Sequence, residues 1–558
     1  MTAVIPSVRG CRYSSRVAIG AVRRHPTRVR LDPRRPEGLR HFTEGLRHFR
    51  GLHHEGRAAT ALVILLLSVA RVPLRAQTQT PPQTQMPPPA APATPAETRW
   101  FLRDWTRVES WHYFAPNPGG GDPDYTDVAN RLQVGIERRA KRVDIAGALQ
   151  YVQFGGLPTS ATGPGAFGTG ALYFDHSGRT DSREVYLRYL NLRFKSLVPG
   201  LDVQVGRFGY TSGAESPSGD PKIEAVKRLR LDSRLIGEFE WAIYQRAFDG
   251  VRADLDRPRW HATAGAFRPT QGGFENAAGA EITRIDLITG AVTLKPGSVF
   301  RHTDWQLFAD RYDDTRAVQA RPDNTNLPAT AVDVHINTFG SSVAGVYPSG
   351  SGQIDLVGWM AGQTGTWYGQ SHGALAGAGE LGYQWSKSAW RPWVRAGFFH
   401  ASGDADGADT RHGTFFPMMP TVRKYSLSTV YGVMNLDDLF VHAFLSPTPK
   451  LSVRVDLHRL DLATAADRWY SGSGATQQTG TIFGYAGRRS NGATSLGTML
   501  EGSADRAISR RWSINGYAGV MKGGEVVRGT FAGNWLTFAY VESVVQLGGR
   551  LAGNPARP

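Results

Sequence analysis

Cysteine is almost absent from this 558-residue chain, and long apolar runs are scarce. The only cysteine is Cys11, so the chain beyond the N-terminal segment cannot form disulfides or cysteine-based metal sites. No segment after residue 76 approaches the roughly 20 apolar residues that a membrane helix requires. Residues 1–76 hold 15 arginines and 4 acids, and so carry +11 of the net charge of +16. The remaining chain is only weakly basic, which argues against nucleic-acid binding.

The first 98 residues are predicted to precede the folded domain. Residues 1–57 are rich in arginine and contain the repeat EGLRHF twice, which indicates either a start codon assigned too early or a basic disordered arm. Residues 58–76 contain the apolar run AATALVILLLSVA and indicate a secretory signal peptide. Residues 77–98 are rich in proline, glutamine and threonine, which predicts a flexible linker.

From residue 99 to 547 the chain reads as segments of about ten residues in which apolar and polar side chains alternate, the pattern of membrane-spanning β-strands. Eighteen segments can be laid out, at about 100–111, 127–138, 142–153, 182–195, 201–210, 243–256, 259–268, 282–295, 303–312, 332–347, 353–364, 372–386, 391–401, 437–447, 450–461, 494–506, 511–521 and 534–547.

The connections between these segments alternate between short turns, such as 257–258, and long polar loops, such as 211–242 and 402–436. Short turns on one rim, long loops on the other and an even strand count are typical of outer-membrane barrels. The sequence therefore predicts an all-β transmembrane outer-membrane β-barrel of about 18 antiparallel strands, with short periplasmic turns and long extracellular loops. Residues 548–558 are predicted to be a disordered C-terminal tail.

A barrel of this size has an apolar outer wall and a water-filled lumen. Alternate apolar residues such as Val134, Ile136, Leu149 and Val455 predict the wall. Hydrocarbon cannot satisfy the backbone groups of a free strand edge, so the sheet has to close on itself.

Charged residues on the opposite face of the strands predict the lining of the pore. The segment 241–255 is predicted as a strand with Arg246, Arg252 and Asp254 on its inner face, because side chains alternate along a strand. The same alternation places further charged side chains in the lumen, namely Arg107, Glu109, Arg131, Arg188, Arg395 and Arg454. Guanidinium groups pair with carboxylates, so a ring of them would guide a polyanion. The alternative is that these arginines pair with neighbouring acids and brace the lumen.

Arg207 is a special case among the expected pore residues. It shares parity with Val203 and Val205 and therefore faces lipid unless a β-bulge follows Gly206.

Two loops have a charge pattern that suggests a role. The basic segment Lys222–Arg234 is interpreted either as a folded-in lid or as a solvated outer loop. Asp404, Asp406 and Asp409 suggest a calcium loop, although the pattern is not an EF-hand, and a glycine-rich turn is the competing interpretation. We expect no other metal and no cofactor.

Nucleophilic catalysis is not expected from the strand that carries His458. Ser452 lies on the same face of that strand, but residues on one face are about 7 Å apart per step, so Ser452 and His458 cannot act as nucleophile and base. The sequence contains no nucleophile elbow, and we expect no catalytic residues.

The chain resembles the alginate export family of outer-membrane channels over nearly all of residues 100–547. The order and spacing of several short motifs carry the resemblance: Gly206-Arg207, Arg234-Leu-Ile-Gly237, Trp241, Arg246, Phe248-Asp-Gly-Val-Arg252, Ala401-Ser-Gly-Asp404, Thr414-Phe-Phe-Pro417, Pro420-Thr421, Asn435-Leu436 and Asp467-Arg-Trp-Tyr470. The resemblance implies an 18-stranded monomeric barrel with an arginine-rich constriction that passes an anionic uronate polysaccharide outward.

The expected function is a passive channel for an anionic polysaccharide or related polar solute in the outer membrane. Its expected partners are outer-membrane lipid, the transported solute and the barrel-insertion machinery. An uptake porin for small organic solutes on the same barrel is the alternative. A barrel enzyme or a surface adhesin that uses the loops 154–181 and 462–493 is a third possibility.

Overall fold

The computed structural model describes residues 97–161, 170–273, 277–421, 425–428 and 430–551. The predicted early start, signal peptide and nearly all of the linker, together with most of the predicted tail, lie outside these residues.

The described residues are dominated by β-strands. In chain order these are β1 (Glu97–His112), β2 (Asp124–Arg139), β3 (Val143–Gly155), β4 (Ser182–Phe194), β5 (Leu201–Phe208), β6 (Phe248–Asp256), β7 (Trp260–Pro269), β8 (Ile285–Leu294), β9 (Thr303–Asp314), β10 (Ala317–Val318), β11 (Val334–Ser349), β12 (Gly352–Trp367), β13 (Gln370–Gln384), β14 (Trp393–Ala401), β15 (Arg411–His412), β16 (Leu436–Thr448), β17 (Leu451–Asp461), β18 (Arg468–Gly472), β19 (Thr479–Gly480), β20 (Tyr485–Arg489), β21 (Ser495–Ala507), β22 (Trp512–Gly523) and β23 (Trp535–Arg550).

The helices within the described residues are short: α1 (Gly170–Ser177), α2 (Pro221–Arg230) and α3 (Glu525–Arg528). None of these described helices has the length and apolar character needed to cross a membrane.

Eighteen of the strands form a closed antiparallel barrel, which confirms the predicted fold. The wall consists of all the strands above except the short β10, β15, β18, β19 and β20, which lie in the loops. Each wall strand pairs with its neighbours along the chain, and β1 closes the barrel by pairing with β23 from Arg99↔Arg550 to His112↔Thr537. The last strand therefore runs to Arg550, beyond the predicted boundary at residue 547, because its end still has β1 as a partner.

Alternation along the strands separates the two faces of the wall as predicted. On β12, Met360 is 64% exposed on the outer side, whereas its neighbour Trp359 is 6% exposed on the inner side. Ile136 and Leu149 are likewise more than half exposed on the outer face. These exposed apolar side chains form the surface that lipid covers.

The two rims differ in the way that the sequence predicts. Turns such as 140–142, 257–259 and 449–450 connect strands on one rim, and loops such as 270–284 and 315–333 connect them on the other. One connection on the long-loop rim has only two residues, Tyr368 and Gly369, with φ of 48° and 81°. Two consecutive positive φ values suit a tight hairpin turn that matches the twist of the strands.

The strand predicted at 243–256 begins later, at Phe248. Residues before it curl away from the wall: the backbone nitrogen of Arg246 donates to the oxygen of Glu238, and that of Ala242 donates to the oxygen of Phe239. Phe239 itself has a φ of 59°. Arg246 is therefore not a strand residue, and the predicted alternation does not apply to it.

Candidate functional site

Three long loops fold into the barrel from the same rim. We name them loop A (209–247), loop B (402–435) and loop C (462–494). Loop A pairs with loop B through the backbone, because Gly237 N donates to Met419 O (2.9 Å) and Met419 N donates to Leu235 O (2.8 Å). Loop C joins them where Ser473 Oγ donates to Pro420 O (2.6 Å). The three loops thus form one packed unit.

This unit lies inside the wall, because its residues contact the inner faces of strands all around the barrel. Gln363 on β12 bonds both backbone groups of Phe416 in loop B, at 2.6 and 2.8 Å. Glu501 on β21 accepts from Leu427 N (2.9 Å). Phe239, Phe416 and Met419 are completely buried. At this level the loops fill the lumen that the strand count alone led us to expect as open and aqueous.

Three arginines of the wall grip the backbone of loop A. Arg107 on β1 donates to Trp241 O (2.5 Å), and Arg188 on β4 donates to Arg246 O (2.5 Å). Arg131 on β2 donates to the oxygens of Glu240 (3.1 Å) and Ala242 (2.8 Å). All three side chains point inward as the alternation predicts, and they hold the segment 240–246 against the wall.

Carboxylates complete the environment of two of these arginines. Arg107 pairs with Glu109 (2.5 Å) and Glu542 (2.7 Å), and Arg188 pairs with Glu238 (2.5 Å). Arg131 instead lies over the ring of Trp105, 4.0 Å from its centroid, in a cation–π contact. Arg131 has no ion pair with an acid in the described part of the chain.

The basic segment Lys222–Arg234 is folded in rather than solvated. Arg230 and Arg234 both bond the buried carboxylate of Glu380 on β13, at 2.7 and 2.8 Å. Arg395 bonds the same carboxylate at 2.9 Å and also pairs with Asp355. Three arginines therefore share Glu380, and the segment follows the lid interpretation.

The helix α2 begins this basic segment and is capped by Asp220, whose side chain accepts from Lys222 N (2.8 Å) and Ile223 N (3.2 Å). Such a cap satisfies two of the backbone N–H groups that a helix leaves free at its start. Burial, with Arg395 nearby, lowers the pKa of Lys222 to about 6. Lys227 reaches Asp304 on β9 at 2.7 Å.

The other arginines expected to line the pore are paired with acids on their own strands. Arg252 bonds Asp254 at 2.8 Å, and Asp254 also accepts from Thr263 Oγ1 at 2.8 Å. Arg454 pairs with Asp456. These contacts match the alternative in which arginines brace the lumen.

Among the arginines predicted to line the pore, Arg246 differs because it lies in a loop and leaves two of its side-chain nitrogens without a hydrogen-bond partner in the described residues. It is completely buried and its Nη2 donates to Ser473 O in loop C (2.9 Å), while Nε and Nη1 have no hydrogen-bond partner in the described residues. Burial lowers the pKa of Arg246 to about 10. The prediction that it faces a pore from a strand is wrong, because it lies where loop A meets loop C.

Arg207 does not line the pore. It is opposite Asp249 in the register of β5 and β6, and it bonds Asp249 through two nitrogens at 2.8 and 2.5 Å. Asp249 shares parity with Val251, which is 41% exposed on the outer wall. The irregularity in this region is on the neighbouring pair β3 and β4, where the register shifts opposite Arg188, so Arg207 keeps its outward direction.

The three aspartates of the suggested calcium loop do not converge. Asp406 accepts from Ala408 N (3.0 Å) and Asp409 accepts from Arg411 N (2.7 Å), as aspartates do in turns. Asp404 is buried and its pKa is raised to about 6 by burial and by Asp467. The contacts of Asp406 and Asp409 are those of aspartates in a turn, which agrees with the competing interpretation. Binding of a calcium ion here stays a prediction.

Sequence reasoning missed two partners of the arginines. Glu542 follows the inward alternation of Phe538 and Tyr540 on β23, so the strand pattern could have identified it. Glu238 lies in the irregular part of loop A, where no periodicity reports the direction of a side chain.

The motifs that carried the resemblance lie mainly where the three loops meet. Asp467 in loop C accepts from Thr414 Oγ1 (2.6 Å) and Asp404 N (2.8 Å). Asn435 donates to the oxygens of Thr464 (3.0 Å) and Arg468 (3.1 Å). These polar side chains replace the missing strand pairing and fix the shape of the loops.

The closed 18-strand barrel, its apolar outer face and its charged interior define an outer-membrane channel of the porin type. The model of the alginate export family matches residues 227–533, more than half of the chain. The protein belongs to the alginate export family. No curated protein matches the chain.

Solved structures with a similar fold are outer-membrane proteins. OccK9 (OpdG) of Pseudomonas aeruginosa has 9% identity and a TM-score of 0.50, and the match covers 81% of this chain and 98% of that one. OpdK of the same organism, solved with vanillate, has 8% identity, a TM-score of 0.49 and coverages of 81% and 99%. OccAB1 of Acinetobacter baumannii has 9% identity, a TM-score of 0.49 and coverages of 82% and 98%. At these identities the likeness concerns the fold alone.

Proposed function

We propose that this channel passes an anionic, carboxylate-bearing polysaccharide across the outer membrane, and that the wall arginines are its binding groups. The observation that carries the proposal is the set of wall arginines Arg107, Arg131 and Arg188, each of which donates from one guanidinium nitrogen to the backbone carbonyls of loop A. A carbonyl oxygen is a neutral acceptor, and a carboxylate is a stronger one for guanidinium. When loop A moves, these donors are available to the substrate.

The acids next to the arginines have a role in this mechanism. Glu109 and Glu542 stay on the wall and compete with the substrate for the donors of Arg107, whereas Glu238 belongs to loop A and leaves Arg188 when that loop moves. Conduction requires binding that is strong enough to admit the substrate and weak enough to release it. A fully unpaired ring of arginines would hold a polyuronate too tightly.

Ion selectivity in planar bilayers tests the proposal. The reversal potential in a salt gradient is expected to show anion preference, and oligouronates are expected to block the current, whereas neutral oligosaccharides of equal length are not. Arg131→Glu is expected to weaken both effects, because it places a carboxylate among the arginines. Arg183→Glu is the matched control, since the side chain of Arg183 is 65% exposed and its ion-pair partner Asp181 is 69% exposed.

The opposite results separate the alternatives. A cation-selective channel that is indifferent to oligouronates contradicts the proposal. Block by small organic acids but not by oligouronates favours the uptake porin. Absence of conductance under all conditions favours a non-transport role of the surface loops.

A further inference from the structure

A group of two histidines and one carboxylate lies on the inner wall between β16 and β17. His442 and Asp456 are opposite each other in the register, and His458 is two residues further along β17, so all three point to the same side. One ligand atom from each lies within 4.8 Å of the others. All three side chains are at most 1% exposed. No other such group occurs among the described residues.

The atoms that face this group lack hydrogen-bond partners. Both ring nitrogens of His442, Nε2 of His458 and Oδ1 of Asp456 have none in the described residues. Buried polar atoms normally find a partner, so several orphaned atoms in one place need an explanation. A single cation between them would satisfy lone pairs on all three residues.

The orientation of His458 is fixed from behind. Its Nδ1 lies 3.0 Å from both carboxylate oxygens of Asp438. A carboxylate only accepts, so Nδ1 carries the hydrogen, and in the neutral ring the lone pair is on Nε2, toward the group. A carboxylate that holds a histidine in this way is a common second layer of metal sites.

Glu501 on β21 offers a fourth ligand. Its Oε1 is 3.7 Å from His458 Nε2. Ligand atoms bound to one tetrahedral zinc ion at about 2.0–2.2 Å are roughly 3.3–3.6 Å apart, so a small shift of Glu501 would let it share an ion with His458.

The charges around the group also suit a dication. Asp456 and Glu501 face the group and Asp438 lies behind His458. Arg454 is the cation that pairs with Asp456, through Asp456 Oδ2. Arg230, which lies over the ring of Phe440, and Arg395 are also close enough to act on His442. Their guanidinium groups are paired with Glu380, and that of Arg395 also with Asp355. A dication therefore meets an excess of negative charge.

We propose that this group binds a transition-metal dication of the zinc class through His442, Asp456 and His458, with Glu501 as the fourth ligand. Two imidazoles favour such an ion over calcium or magnesium, which prefer oxygen ligands. Glu501 also accepts from Leu427 N and Ser428 N of loop B. The ion thus connects three wall strands, β16, β17 and β21, and is joined to loop B through Glu501.

Calorimetric titration of the chelator-treated full chain, carrying an affinity tag without histidine, tests the site. Zn²⁺ is expected to bind tightly at one site per chain, and Ca²⁺ is not expected to bind at that site. His442→Ala and Asp456→Asn are each expected to abolish this tight binding. Asp438→Asn is expected to lower the Zn²⁺ affinity by about 10- to 100-fold. The histidines of residues 1–96 are common to all variants, so only the difference between variants is interpreted.

His400→Ala is the matched control. His400 pairs with Asp437 at 2.7 Å on adjacent wall strands, but this pair is not part of a group of three potential metal ligands among the described residues. The variant is expected to bind Zn²⁺ like the wild type. Heat-dependent migration on gels verifies that each variant is a folded barrel. Three results overturn the proposal. The first is that the wild type does not bind Zn²⁺ tightly, the second is that folded His442→Ala or Asp456→Asn still does, and the third is that Ca²⁺ binds equally well.

Discussion

At the scale of the residue, the interior contains two kinds of arginine. Arg252 has a carboxylate partner on its own strand, Asp254, and both side chains are nearly buried. Arg246 has no carboxylate partner among the described residues and leaves two nitrogens unbonded. A paired charge and an unpaired charge contribute with opposite sign to folding, because burial of a charge is costly unless a partner offsets it.

Substitution by methionine is expected to separate these two arginines. Arg252→Met leaves Asp254 buried without its cation and is expected to lower the free energy of unfolding by about 3 kcal/mol. Arg246→Met removes a costly buried charge and is expected to leave the stability unchanged or higher. Urea unfolding in detergent, followed by tryptophan fluorescence, measures both. A larger loss in Arg246→Met than in Arg252→Met contradicts this account.

Asp404 predicts a pH dependence of stability. Its pKa in the folded protein is about 6, above the ordinary value of 3.8, so the folded state binds more protons than the unfolded state between these values. Its contribution therefore favours folding as the pH falls from 6 toward 4. Asp404→Asn is expected to be more stable than the wild type at pH 7.5, and the difference is expected to shrink as the pH falls from 6 to 4. Asp406→Asn, on an exposed side chain of the same loop, is expected to show no such trend.

At the scale of the element, loop A is fixed in the barrel by charge rather than by strand pairing. Its helix α2 and the residues after it reach β13 through Arg230 and Arg234, which share Glu380 with Arg395. One carboxylate therefore neutralises arginines from a loop and from the wall. The position of the segment that carries Arg230 and Arg234 therefore depends on that one group.

Glu380→Gln is expected to loosen loop A. It leaves three buried arginines without their common carboxylate, and the removal of one partner of a buried pair costs about 3–5 kcal/mol. The open fraction in single-channel recordings is expected to rise. Glu281→Gln is the control, because Glu281 pairs with Arg268 at a rim where both are about a third or more exposed and such pairs contribute little. An unchanged open fraction in Glu380→Gln would refute the role of this cluster.

The sequence predicts the elements of the wall better than it predicts the loops. Alternation identifies all 18 strands and the inward direction of Arg107, Arg131 and Arg188, since period two follows directly from strand geometry. It fails for Arg246, because the chain leaves strand geometry before Phe248 and no period describes the side chains there. It also gives no sign that the loops fill the lumen, because long-range contacts such as Arg230 with Glu380 leave no local pattern.

At the scale of the whole molecule, the barrel is closed around its own loops. Adjacent residues of a wall strand face opposite sides, one toward lipid and the next toward the buried interior. Met360 and Ala361, for example, are 64% and 3% exposed. Access of water to the interior therefore reports the position of the loops.

Thiol labelling at this adjacent pair is expected to report opening, in a chain with Cys11→Ser. A charged, water-soluble thiol reagent is expected to react slowly with Ala361→Cys, because the loops cover this inner position, and faster when Glu380→Gln is added. Met360→Cys faces lipid and is expected to react with a membrane-soluble reagent at a rate that Glu380→Gln does not change. Rapid labelling of Ala361→Cys with Glu380 intact would contradict the closed arrangement.

The pairing of the first wall strand with the last one sets the order of assembly. Arg107 and Glu542 meet across that seam although they are 435 residues apart in the chain. Until β23 is available, β1 keeps a row of unpaired backbone groups, which invites pairing with other chains and is intolerable in hydrocarbon. The nascent barrel therefore needs another protein to pair transiently with the free edge of β1. Because β1 and β23 are so far apart in the chain, their pairing comes late and makes barrel closure slow.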